Sequence, residues 1–191
     1  MRKLLQLPLV LLALALGSAS CGAVTFSQPV ALNLKAKSSD VSGTTVKADK
    51  SINTESGNPY GAFVAAARSK IGKDPARVGV DRIEILLSTT STNVTALSEI
   101  FNGTVDVQFV MNDTNNIYTV GHATIDGSST GRGPIVFDVD FDSAKMAASV
   151  DWQKFLTGSF KAVIGGPVAS TFAGKGAEAN FQLSFTFAAF D

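Results

Sequence analysis

The sequence predicts a mainly β protein, an antiparallel β-sandwich of about seven to eight strands with one amphipathic helix and short helical turns. Three observations lead there. From Arg77 almost to the C-terminus, apolar residues recur at every second position, which lays one face of each segment on a core. These segments are short and are punctuated by clusters of Gly, Pro and Asn, as in sandwiches. They alternate instead of running as continuous apolar blocks, which favours antiparallel pairing with one wet face. Each inward Phe, Leu, Ile or Val is worth roughly 1.5–3 kcal/mol when fully buried, against about 1–2 kcal/mol per residue for ordering the backbone. The balance works only if two inner faces meet.

In chain order, Phe26 to Lys37 alternates with Val30, Leu32 and Leu34 on one side and forms a first strand. Ser38 to Asn58 is rich in Ser, Thr, Asp, Lys and Gly and reads as a long loop or an irregular edge strand with weak order. Asn58-Pro59 opens a helix, because Asn caps and Pro suits the first turn, while Tyr60, Phe63, Val64, Ala67 and Ile71 recur at helical spacing. Arg68, Lys70 and Lys73 crowd its end, Gly72 caps it and Pro75 stops it.

The period then falls to two. Val78 to Leu87 is a strand whose Ile83, Ile85 and Leu87 share a face, followed by a helical piece around Leu97 to Phe101. Thr104 to Met111 and Ile117 to Ile125 form a hairpin about the turn Asn112 to Asn116, since Asn and Asp tolerate left-handed backbone. Ile135, Phe137, Val139 and Phe141 face inward on one strand, opposite Asp138 and Asp140. Ser143 to Ala148 makes one weak turn, and Asp151 is placed to cap a helix over Trp152 to Leu156. Phe160 to Ile164 is a strand ended by Gly165-Gly166-Pro167, and Ala177 to Phe187 is the last strand, with Ala179, Phe181, Leu183, Phe185 and Phe187 on one side.

The first residues are of another kind. Arg2 and Lys3 precede an apolar run from Leu4 to Leu16, then come Gly17-Ser18-Ala19-Ser20 and Cys21. A basic head, short apolar body and small-residue segment constitute a secretory signal peptide. The run is too short for a spanning helix, which needs about 20 residues. At Ala19 and Cys21 the chain resembles bacterial lipoproteins, whose signals end in a lipobox and whose cysteine is lipidated; Ser18 and Ser20 depart from the residues usual at those positions. The resemblance implies lipidation of Cys21, a membrane partner through the acyl anchor and, from Gly22 in place of Asp, the outer membrane. The same small residues also suit ordinary cleavage near Ser20 or Ala23, which would leave a secreted or periplasmic protein. The domain boundaries expected are a signal over 1–20, a tether over 21–25 and one sandwich over 26–191. Cys21 is the only cysteine, so no disulfide forms within the chain.

Acidic and basic residues number 16 each, and removing Arg2 and Lys3 leaves a small negative excess, which argues against nucleic acid. No catalytic set converges. Asp138, Asp140 and Asp142 alternate as calcium ligands do, yet Ser143 and Ser149 stand where a calcium loop needs Gly and Glu. His122, the only histidine, lacks a nucleophile on a sharp turn and is read as sharing a strand face with Tyr118 and Val120. No metal site or cofactor is expected. Gly127 to Gly133 is glycine-rich but lacks the lysine of a phosphate loop; Arg132 at its tip is the residue that would touch a ligand.

The sequence therefore points to a non-enzymatic, lipid-anchored envelope module that binds an envelope protein or a glycan. An envelope hydrolase using Asp106, Asp138 or His122 is one alternative. The other is a small outer-membrane barrel, suggested by the alternating aromatics that end at Phe190. A concave apolar pocket beside the loop from Asp126 to Gly133 would mark a binding site.

Overall fold

In the last strand, every second side chain from Ala179 to Phe187 is buried, and the positions between them carry Asn180, Gln182, Ser184 and Thr186. That alternation makes β9 (Glu178–Phe190) the centre of a sheet with one dry face. A computed structural model of the protein, describing residues 24–55, 57–146, 149–174 and 176–191, shows β9 flanked by β1 (Val24–Lys37) and β3 (Arg77–Leu87), with β6 (Ile135–Val136) beyond β3. The second sheet runs β2 (Thr45–Ile52), β8 (Phe160–Pro167), β4 (Gly103–Met111), β5 (Ile117–Ile125) and β7 (Asp138–Val139). All the pairings are antiparallel, and the two sheets pack as a sandwich.

Phe109 sits in the middle of the core. Its ring lies 5.0–6.1 Å, centroid to centroid, from those of Phe141, Phe155, Phe160, Phe185 and Phe187, so both sheets and the second helix meet on one side chain. Helix α1 (Pro59–Ile71) closes one end. Asn58 accepts from the Tyr60 amide at 2.9 Å, and Gly72 ends the helix at φ 83°, as the local signals require. Its buried Phe63 stacks on Phe187 and Tyr60 meets the same ring edge-on, Phe63 also meets Phe26, and the Tyr60 hydroxyl donates to the Phe155 carbonyl at 3.0 Å.

Residues 135–142, expected as one strand, cross between the sheets. Ile135 and Val136 pair with β3, Phe137 is buried at the crossing, and Asp138 and Val139 pair with β5. This stretch ties the two sheets together along one flank. Among the described residues the strands number nine because this one is divided. The segment expected to have weak order contains β2, a regular eight-residue edge strand with Val46, Ala48 and Ile52 buried. Its alternation is faint because Lys50 occupies an alternate position that stays exposed, leaving Val46, the small Ala48 and Ile52 as its inward side chains. β8 continues through Gly165, Gly166 and Pro167, which pair with Lys47, Val46 and Thr45; the glycines do not end it. β1 starts at Val24, two residues ahead of the expected boundary.

Two local readings change. Ser149, not Asp151, caps helix α2 (Val150–Leu156), accepting from the Asp151 amide. In β5 the register slips between Val107 and Gln108, so Val120 is an extra residue; Val120 and Gly121 are both buried. His122 consequently faces solvent, whereas Val120 points inward and Tyr118 reaches the buried Asp151.

The sheets are open, and their outer positions carry Asn33, Lys35, Asn180 and Gln182. A membrane barrel puts apolar residues there to meet lipid. The alternating aromatics of β9 instead fill the sandwich, and Phe190 lies under the Arg77 guanidinium at 3.9 Å. No helix among the described residues is long and apolar enough to cross a membrane. The signal segment and Cys21 lie outside the described residues.

Candidate functional site

The outward alternation of three adjacent strands builds the site. Because the register pairs Asn33 with Gln182 and Gln182 with Leu86, these three form one row across β1, β9 and β3. Lys35, Asn180 and Ser88 form the next, the Ser88 amide donating to the Asn180 carbonyl at 2.8 Å. Beneath them Leu34, Phe181 and Leu87 are buried in the core, which makes the floor rigid. The chain leaving β3 rises at Ser88 to Thr90 and makes one wall, braced by a 2.9 Å contact between the Ser88 and Thr90 hydroxyls and a bond from the Asn180 amide to the Thr90 carbonyl at 3.1 Å.

Arg132 completes the wall. Its carbonyl accepts from the Leu87 amide at 2.7 Å, and its guanidinium donates to the Ser88 carbonyl at 2.5 Å. Gly133 follows at φ 97°, where an added Cβ would lie 2.6 Å from the Ile85 carbonyl oxygen; only glycine lets the loop come this close to β3. The result is a groove of about 590 Å³. It lies beside the Asp126 to Gly133 loop, where a pocket would mark binding, and its lining mixes polar side chains with apolar surface, Leu86 being the apolar side chain most open to solvent on its floor.

Its polar groups are unevenly used. Lys35 is paired with Glu178 at 2.7 Å, and this lysine, with help from Lys37 and Asn180, holds the Glu178 carboxyl below its usual range. Among the described residues the side chains of Asn33, Gln182 and Thr89 make no hydrogen bond within the chain, and Arg132 has no carboxylate partner. An open, half-dry groove with idle amides and an unneutralised guanidinium is suited to hold a polar, hydrogen-bonding ligand. Of these residues only Arg132 stood out in the sequence. The amides were visible solely as the wet side of their strands, since nothing local says which wet positions the register will gather.

The alternative acid–base residues do come together, in another place. Asp106, His122 and Asp138 lie side by side on β4, β5 and β7, with His122 Nε2 4.0 Å from Asp138 Oδ2. The His122 and Asp138 side chains are 57% and 91% exposed, so solvent reaches both groups freely. The shallow groove of about 260 Å³ next to Asp106 includes neither of them. Its floor, Gly165, is overlaid by the Lys47 stem, whose Cγ would lie 2.8 Å from an added Cβ. Asp142 leaves the solvent face: it binds Arg77 at 2.6 Å and accepts from the Ala144 amide at 2.8 Å. Asp140 meets Lys145 at 3.3 Å, and among the described residues no group of three His, Cys, Asp or Glu side chains is placed to hold a metal.

Asp151 is the buried carboxylate that the sequence did not reveal. Thr114 donates to its Oδ1 at 2.8 Å, and Asn116 and Tyr118 donate to its Oδ2 at 2.7 Å each. Burial pushes its carboxyl up, but the bonds from Tyr118, Asn116 and Thr114 and the nearby Lys154 outweigh this and leave it below the usual range. Burial and the same carboxylate raise the Tyr118 hydroxyl. With its oxygens taken, Asp151 holds the hairpin turn to α2 and offers nothing to a substrate. No protein-family model and no curated protein matches the chain.

Proposed function

We propose that the protein is an exported, lipid-anchored cell-envelope protein whose β-sandwich is a non-catalytic binding module for a glycan or an envelope protein, held at the outer membrane through Cys21. The observation that carries the binding half is the groove, where Asn33 and Gln182 stand idle beside Arg132 on a rigid floor. Catalysis would require groups that converge out of water, whereas Asp106, His122 and Asp138 share an open, solvated face. The observation behind the anchor is the placement of the single cysteine at the end of an export signal.

The two halves are tested separately. Cells expressing the full chain are fed an alkyne fatty acid: label is expected on the wild type and absent from Cys21→Ala, and equal processing of both without label sinks the anchor. Detergent-extracted mature protein is then sedimented with purified cell-wall polysaccharide. Co-sedimentation that is lost in the double variant Asn33→Ala/Gln182→Ala supports the module; sedimentation unaffected by it removes the groove from the reading.

A further inference from the structure

We infer that the groove takes an acidic oligosaccharide, with Arg132 receiving a sugar carboxylate while Asn33 and Gln182 engage neighbouring hydroxyls. This rests on the reading of the groove as the binding site and names its ligand. The amides decide for a polyhydroxylated ligand. Asn33 and Gln182 face each other in register, and each presents a donor and an acceptor, the pair of functions that a sugar's adjacent hydroxyls return. Leu86, 37% exposed beside Gln182, offers a small apolar platform for the C–H face of a ring.

Charge decides for an acid. Lys35 is neutralised by Glu178, so the groove's uncompensated charge is that of Arg132. One of its N–H groups is held by the Ser88 carbonyl at 2.5 Å, which orients the planar fork and leaves the others for a ligand. A fixed guanidinium matches the two oxygens of a carboxylate. One free cation suits one carboxylate; a phosphate would call for more cations or a nest of backbone amides.

An extended peptide fits less well. The backbone groups of β9 are consumed by pairing with β1 on one side and β3 on the other, so a strand could be added only at the outer edge of β1, in the plane of the sheet and not in the groove above it. Leu86 is the one large apolar side chain of the groove that is exposed, so the alternate side chains of a peptide would find no row of apolar sites to read them.

The test is calorimetry of the mature full-length protein in detergent with oligogalacturonate, with alginate oligomers, with their methyl esters, and with an acidic peptide. At low salt the acids are expected to bind about tenfold or more tightly than the esters, the margin of a charge-assisted hydrogen bond, and the difference should shrink as salt rises. Arg132→Gln should erase the preference for acid over ester, and Arg132→Lys should keep part of it; because the preference is a ratio within one protein, a loss of folded fraction does not mimic it. Acid and ester binding equally, with both lost in Asn33→Ala/Gln182→Ala, would overturn the acidic ligand and leave the module standing. Tighter binding of the peptide than of any sugar would overturn the glycan, and no binding by any probe would overturn both readings.

Discussion

The Tyr118 hydroxyl donates to Oδ2 of Asp151 at 2.7 Å, joining a strand of the second sheet to the first turn of α2. Thr114 and Asn116 bind the same carboxylate, and Lys154 reaches Asp113 at 2.6 Å, so the whole hairpin turn is latched to one short helix.

Replacing Asp151 by Asn keeps the shape but turns donors against donors. Leaving buried groups unsatisfied costs about 1–3 kcal/mol, and urea unfolding of Asp151→Asn should show a loss of that size at neutral pH. The acid limb supplies a second readout. A carboxyl held below its usual range stabilises the fold above about pH 4, the ordinary value, and that stability drains as pH falls through the lower folded value. The wild type should therefore lose stability steeply below about pH 4, whereas Asp151→Asn should show a shallower acid limb.

Gly133→Ala tests the support behind Arg132. An alanine there carries a positive φ and a Cβ 2.6 Å from the Ile85 carbonyl oxygen. Strain of this kind costs of order 1–3 kcal/mol, read as a lowered urea midpoint. Gly127→Ala in the same loop, with nothing within 4 Å of the new methyl group, should shift the midpoint little.

Phe109→Ala removes the ring shared by both sheets. A buried Phe→Ala change costs about 3–5 kcal/mol, a large part of a domain's stability, so thermal melting should drop sharply. Tyr60→Phe removes one hydroxyl and should cost about 1 kcal/mol, because the Phe155 carbonyl keeps a bond from the Gly158 amide. A Tyr60→Phe loss as large as that of Phe109→Ala would show that the hydrogen bond, not the ring packing, holds α1 down.

The architecture was legible wherever a strand had one wet and one dry face. β4, β5 and β9 announce themselves by period two, and α1 by its cap, its stop and its helical spacing. β2 was obscure because Lys50 breaks its alternation and Ala48 is too small to signal a core position, and the crossing at Phe137 was hidden because alternation is the same whether a strand stays in one sheet or changes sheets. The bulge hid that Val120 and His122 fall on opposite faces, since one extra residue inverts the phase of everything beyond it, although His122 is exposed as its strand position suggests. The groove was the least legible feature. Asn33, Gln182 and Leu86 are remote in sequence and become a row only through the register of three strands.

β1 runs from Val24 to Lys37, with its pairing on β9 moving from Phe190 to Glu178 and one register shift between Val24 and Phe26. Asn33 stands nine residues along it from Val24, and at about 3.4 Å per residue the strand acts as a spacer of about 30 Å between the chain's entry into the sandwich and the groove. On the proposed anchor at Cys21, a strand standing upright from the membrane would carry the groove about 30 Å farther from the lipid headgroups than the foot of the strand.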